Sequence, residues 1–194
     1  MAKLRALCVY CGASGRGDPR HLERAAALGR QAAERGVGIV FGGGRVGLMG
    51  AVADGALAAG GRVIGVIPEI LMAREVEHRD VTEIIVVDSM HVRKQRMFEL
   101  SDAFCILPGG LGTLDETFEI LTWKQLELHD KPVVLLNLDG YWDPLVRLLD
   151  HLVAANYASP RHTRMWQVVT RIEDVFGAVE AAPSPCRPSD TKHL

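Results

Sequence analysis

The chain has 194 residues, enough for one α/β domain that buries roughly 70% of its unfolded surface and needs no disulfide or metal staple. Hydrophobic residues make up 48% and charged residues 24%, a globular composition that excludes a disordered or fibrous chain. Lys+Arg 22 against Asp+Glu 24 leaves a net charge of -2, without the basic excess of a protein that grips nucleic acid through its phosphates.

In chain order, the first segment, Lys3-Leu4-Arg5 followed by Ala6 to Tyr10, imitates a signal peptide. Its apolar core is too short and runs into Cys11-Gly12, so it reads as a strand and the chain as cytoplasmic. No apolar run approaches the ~18 residues of a membrane span. Short apolar runs over 4–10, 38–41, 62–67, 83–87, 103–107 and 132–137, bounded by Gly, Pro or polar residues, predict strands buried on both faces. Helices are expected between them over 19–35, 48–59, 91–100 and 113–128, then over 144–154. A short strand over 167–170 and a helix over 173–180 complete a single domain spanning 1–180. The Pro/Ser-rich stretch 181–194 has the composition of a disordered tail. Regular strand–helix alternation with short loops gives right-handed crossovers, hence a Rossmann-like, doubly wound, mostly parallel sheet with helices on both faces.

The cysteines Cys8, Cys11, Cys105 and Cys186 make a poor disulfide framework for this length. Cys8-x-x-Cys11 has redox or half-zinc spacing, but no second Cys or His pair completes a tetrahedral site. Cys8 sits in a strand pattern, where a buried, inert thiol is expected. No metal cluster is evident from spacing, and no metal or cofactor is expected.

Three strand–helix junctions are glycine-rich: 11–17, 42–47 and 108–113. In a parallel sheet all three open at the C-terminal edge, where ligands bind. Glycine there admits backbone N–H groups close to an anion, and the following helix start adds a favourable field. A phosphate-bearing ligand is therefore expected near Ser14, Gly43, Gly44, Gly109 and Gly110. Gly42-x-Gly44-x-x-Gly47 also fits a dinucleotide fingerprint. It follows the second strand rather than the first, however, and the only acid near the end of the next strand is Glu69. No Gly-Lys-Ser/Thr follows any turn, so a Walker A loop is absent.

The stretch from Pro108 to Glu116 carries the most chemistry. Thr113 and Glu116 are three apart and share one helical face, expected in the first turn. That placement leaves two readings open, a carboxylate serving a ligand or one that caps its own helix. Upstream, Met90 and Met97 fit a buried stripe, while Arg93, Lys94 and Arg96 read as a solvated face or as cations drawn to an anion near the helix start. His91 and His129 are isolated, with no nucleophile motif beside either.

Together these motifs resemble the LOG (Lonely Guy) family of cytokinin-activating nucleoside-monophosphate phosphoribohydrolases. The resemblance runs through Val9-Tyr-Cys-Gly12, the segment from Gly42 to Gly50, Gly65-Val-Ile-Pro68, Met90-His-x-Arg-Lys94, Pro108 to Glu116, Thr122-Trp-x-Gln-Leu126 and Lys131-Pro132. It implies hydrolysis of the N-glycosidic bond of an N6-modified adenosine 5′-monophosphate to free base and ribose 5-phosphate. It further implies Arg93 and Glu116 as the catalytic pair, with Glu75, Lys94, Gly110, Leu111, Gly112 and Thr113 at substrate-binding positions. A purine nucleoside 5′-monophosphate would be the small-molecule partner, with no nucleic acid or membrane, and the chain would form a homodimer or an assembly of dimers. Two departures stand out: Ala13 replaces the usual serine, and Arg45 replaces a small polar residue. The alternative from another class is a nucleotide-binding carrier or sensor, since such folds bind without catalysing. Pyridoxal-phosphate chemistry would need a Schiff-base lysine, and Lys3, Lys94, Lys124, Lys131 and Lys192 lie in no evident cofactor motif.

Overall fold

The computed structural model describes residues 4–72 and 77–182. Glu75, Cys186 and the tail beyond Ala182 lie outside the described residues. Seven strands form one wholly parallel sheet: β1 (Ala6–Tyr10), β2 (Gly38–Phe41), β3 (Val63–Pro68), β4 (Glu83–Val87), β5 (Ala103–Ile106), β6 (Val133–Leu136) and β7 (Gln167–Val169). Their order is β4-β3-β2-β1-β5-β6-β7. The chain winds outward from β1 to β4, returns to the other side of β1 with β5, and winds outward again. The reversal between β1 and β5 is a topological switch point, where two successive loops part and leave a crevice.

The inner strands behave as expected. In β1, β2, β3, β5 and β6 nearly every residue is buried, because helices cover both faces. The edge strand β4 departs from the expected double burial: it is half-buried or exposed along its length, as is the other edge strand, β7. An edge strand has one neighbour and less helix above it, so its apolar residues need not be enclosed.

The helices are α1 (Pro19–Glu34), α2 (Gly47–Ala58), α3 (Glu69–Met72), α4 (Met90–Glu99), α5 (Leu111–Gln125), α6 (Asp143–Ala154) and α7 (Val175–Glu180). Two cores result. One contains Leu7, Val9, Leu28, Phe41, Val52 and Phe176, beneath α1, α2 and α7. The other contains Cys8, Tyr10, Met97, Phe104, Ile120 and Trp142, beneath α4, α5 and α6. Cys8 and Cys11 fall in different cores and are free thiols, as is Cys105. Burial pushes all three up far beyond reactive values, as an inert-thiol role requires.

On the α4/α5 side an aromatic stack fixes the layers. The Phe104 ring stacks on Tyr10 at 5.7 Å and on Phe98 at 5.9 Å, and Trp123 meets Phe98 edge-on at 5.1 Å. Each such contact adds about 0.5–1.5 kcal/mol beyond area burial. Met97 joins this core, but Met90 is 40% exposed, so the expected methionine stripe holds at one end only.

Candidate functional site at the switch point

All three glycine-rich loops open at the same edge of the sheet, and they touch. The Gly12 amide donates to the Pro108 carbonyl at 3.0 Å, and the Leu48 amide donates to the Gly12 carbonyl at 3.0 Å. A cleft of about 590 Å³ lies over this junction. Gly12, the segment from Ser14 to Gly17 and the start of α1 form one wall. Pro108, Gly109, Gly110, Asp139 and Tyr141 face them.

The α2 start is built for packing. A side chain at Gly47 would meet the Ser14 carbonyl oxygen at 2.6 Å, and the Leu48 amide is already spent on Gly12. That is a physical reason for Gly42-x-Gly44-x-x-Gly47 other than a dinucleotide. Gly43 and Gly44 are buried. The Gly43 carbonyl accepts from the His78 amide at 3.0 Å, and Gly44 bridges to Glu77. His78 is itself held by Asp54, Nε2 to Oδ1 at 2.8 Å. Ser14 is exposed, and its hydroxyl accepts from the Arg16 amide at 3.2 Å.

The α5 start differs. Its N-cap is Gly110, and no side chain caps it, so the first amides of the helix, at Leu111, Gly112 and Thr113, point onward without helical acceptors. Leu111 is 86% exposed, while Thr113 is buried. A Cβ at Gly109 would lie 2.1 Å from Thr113 Oγ1, so only glycine lets this loop fold over the helix. The Tyr141 hydroxyl donates to the Gly109 carbonyl at 2.6 Å and holds the loop from outside.

Glu116 falls one turn deeper than expected. Because α5 begins at Leu111, Thr113 is its third residue and Glu116 its sixth. Self-capping therefore does not account for Glu116, and the helix-end field has largely faded there. Glu116 is instead 5% exposed. Burial, reinforced by the Glu116 charge, raises Tyr10 and Cys11 well above their ordinary values.

Arg93 is no surface cation: it is 3% exposed. Its Nε donates to the Val66 carbonyl and its Nη2 to the Gly42 carbonyl, both at 3.1 Å. Nη1 lies 3.8 Å from Met90 Sδ. A guanidinium carries five N–H groups, so these bonds anchor Arg93 just past the end of β2 and within β3 without exhausting its donors. A Cβ on Gly42 would lie 2.0 Å from Nη2, so that glycine makes room for the guanidinium. The charges of Glu116 and Arg93 both reach Cys8 and Cys11, which puts them in one neighbourhood. Lys94, expected at a ligand, holds its ammonium between Asp115 at 3.0 Å and Glu119 at 3.2 Å, linking α4 to α5. Arg96 is an exposed partner of Glu99. His91 is exposed, and His129 bridges the Ile120 carbonyl and the Lys131 amide, a structural role for both its nitrogens. Arg45 is exposed and does not line the cleft.

Sequence reading missed the fourth loop of this edge, after β6. There Asp139 and Tyr141 reach the cleft, opposite Asp18, Arg20 and His21 of α1. The signal was Asp139-Gly140, a turn dipeptide after an apolar run, but it lacks the glycine density of the other junctions.

Fold and site define a Rossmann-like α/β protein with its ligand crevice at the switch point. A family model described as "Possible lysine decarboxylase" matches residues 49–179. The chain is 41% identical over 184 residues to the "Probable cytokinin riboside 5'-monophosphate phosphoribohydrolase LOGL5" of Oryza sativa subsp. japonica, spanning 95% of this chain and 75% of that one. It is 43% identical to the "Cytokinin riboside 5'-monophosphate phosphoribohydrolase LOG7" of Arabidopsis thaliana, over 84% of this chain and 76% of that one. Two solved structures share the fold at TM-score 0.70: a molybdenum cofactor binding protein from Rippkaea orientalis, 25% identical over 93% of this chain and 98% of that one, and the molybdenum cofactor carrier protein of Chlamydomonas reinhardtii, 26% identical over 92% and 97%. The chain belongs to the LOG family.

The decarboxylase description finds no support in the lysines among the described residues. Lys124 Nζ donates to the Lys131 carbonyl, and Lys131 Nζ donates to the Phe98 carbonyl and lies over its ring. Lys94 is ion-paired, and among the described residues no lysine lines the cleft.

Proposed function

We propose that this protein hydrolyses the N-glycosidic bond of N6-modified adenosine 5′-monophosphates, releasing the free base and ribose 5-phosphate. The observation that carries this reading is that a buried carboxylate, Glu116, and a buried, backbone-anchored guanidinium, Arg93, share one neighbourhood near an uncapped helix start. A binding protein needs the glycine loops but neither of those two buried charges.

Departure of the base builds positive charge on the ribose and negative charge on the base, as in other oxocarbenium-type reactions. The amides at Gly110, Leu111, Gly112 and Thr113 receive the phosphate. Glu116, one turn further on, stabilises the ribosyl cation and takes one proton of the attacking water, whose oxygen bonds to C1′ as the C1′–N bond breaks; the departing base anion takes up a proton from solvent, and Glu116 returns its own to solvent. A phosphate and a carboxylate on one helix repel, and Arg93 offsets that repulsion. Lys94, its charge already matched by Asp115 and Glu119, serves by fixing α4 against α5. Ser14 lines the cleft, and Gly43, Gly44 and, by the family resemblance, Glu75 are assigned to substrate binding.

The experiment is Glu116→Gln with AMP as ligand. Binding should persist while base release falls by a factor on the order of 100 or more; hydrolysis near the unaltered rate would overturn the assignment. The carrier reading draws on the likeness to the molybdenum cofactor proteins, and tight AMP binding without base release by the unaltered chain would favour it. We further place the protein in the cytoplasm, as a homodimer or an assembly of dimers. Apolar side chains exposed on α4 and α5, Val92 and Phe118, and just beyond α5, Leu126 and Leu128, support an assembly through that side.

A further inference from the structure

We propose that Asp18, His21 and Asp139 form a divalent-cation site of Zn²⁺ type at the rim of the switch-point cleft. The three residues come from separate places: Asp18 is the N-cap of α1, His21 lies in its first turn, and Asp139 lies in the turn after β6. One ligand atom from each lies within 4.8 Å of the other two, so small side-chain rotations would bring all three to metal-bonding distance of one centre.

The second observation is the state of the imidazole. The His21 side chain is 10% exposed, and its buried Nε2 has no hydrogen-bond partner. The nearest carboxylate oxygen, Asp139 Oδ2, is 3.6 Å away, beyond hydrogen-bond reach. A buried ring nitrogen left unbonded is costly, and here it points into a gap flanked by two carboxylates. A cation in that gap satisfies the nitrogen and both carboxylates at once.

The charges agree. Two carboxylates and the Arg20 guanidinium leave one net negative charge around the gap. Arg20 hydrogen-bonds Asp18 through Nε and Nη2 at 2.7–3.2 Å and approaches Asp139 at 3.7 Å. That is the position from which an outer partner orients ligating carboxylates. One imidazole with two carboxylates favours a borderline ion such as Zn²⁺ over Mg²⁺ or Ca²⁺, which prefer oxygen alone. Three protein ligands leave a coordination position for water or an anionic group. All three residues line the cleft, so that position belongs to the space a ligand would enter. The site is independent of the hydrolase reading and needs no substrate.

The test is calorimetric titration of chelator-stripped full-length protein with ZnCl₂, alongside Asp18→Asn and Asp139→Asn. Asparagine still caps a helix and tolerates the left-handed backbone of residue 139, whose φ is 50°, so both variants keep the fold while losing a charged ligand. One Zn²⁺ per chain is expected, weakened at least tenfold in both variants, with no uptake of Mg²⁺ at the same concentration. Absence of stoichiometric Zn²⁺ uptake, or less than tenfold weakening in either variant, would overturn the proposal. Co²⁺ substitution in the unaltered chain is a check that needs no variant. Visible bands of a nitrogen–oxygen site are expected, and a thiolate charge-transfer band would place the ion at cysteine and refute the site.

Discussion

At Arg93 and Glu116 the chain places ionic groups where most proteins place none. Burying a charge is expensive unless it is bonded, and Arg93 offsets that cost by donating to Gly42, just past β2, and to Val66 within β3. Its orientation is therefore set by the sheet, and its position depends on the absence of a side chain at Gly42. Gly42→Ala should cost about 1–3 kcal/mol through overpacking and lower kcat at least tenfold by displacing the guanidinium. Thermal melts and initial rates check this, and an unchanged kcat would separate Arg93 from the chemistry. Arg93→Ala should lose both AMP affinity and turnover in the same assays.

Among the elements, α4 and α5 meet through Lys94 and through the stack of Phe98, Phe104 and Trp123. Phe104 is fully buried, so Phe104→Ala should destabilise the protein by about 3–5 kcal/mol, measured by denaturant unfolding. The Lys94 ammonium lowers in pKa through burial, but Asp115 and Glu119 outweigh that and leave it raised. A raised lysine value means that the ion pairs stabilise fully below the unfolded value of about 10.4 and fade as pH rises through the folded one. Lys94→Met should therefore lose about 1 kcal/mol at neutral pH, with the gap to the unaltered chain closing above about pH 10.4. A gap that stays constant into alkali would show the loss to be one of packing.

The whole molecule explains what could be read in advance. Periodicity located the inner strands because parallel strands buried on both faces are continuously apolar, as in Ala6–Tyr10 and Val133–Leu136. It overstated the burial of β4 because an edge position is a property of strand order, which local pattern does not encode. The three glycine loops were legible since each needs glycine locally. The depth of Glu116 was not, because it depends on α5 starting at Leu111, two residues before the spacing placed it. Asp18, His21 and Asp139 were invisible as a group: 118 positions separate His21 from Asp139 (139 − 21), and only the strand order, which sets β1 and β6 on either side of β5, closes that gap. Assembly belongs to this scale as well. Sedimentation should find a species of at least twice 21.2 kDa, and Phe118→Asp should shift it towards the monomer; a monomeric unaltered chain would contradict the dimer.

The most direct measurement of the central claim is product analysis after incubating the purified protein with AMP and, separately, with N6-isopentenyl-AMP. Free base and ribose 5-phosphate are expected in equal amounts, with the ratio of the two rates defining the preferred base. Nucleotide bound but recovered intact from both incubations would contradict it.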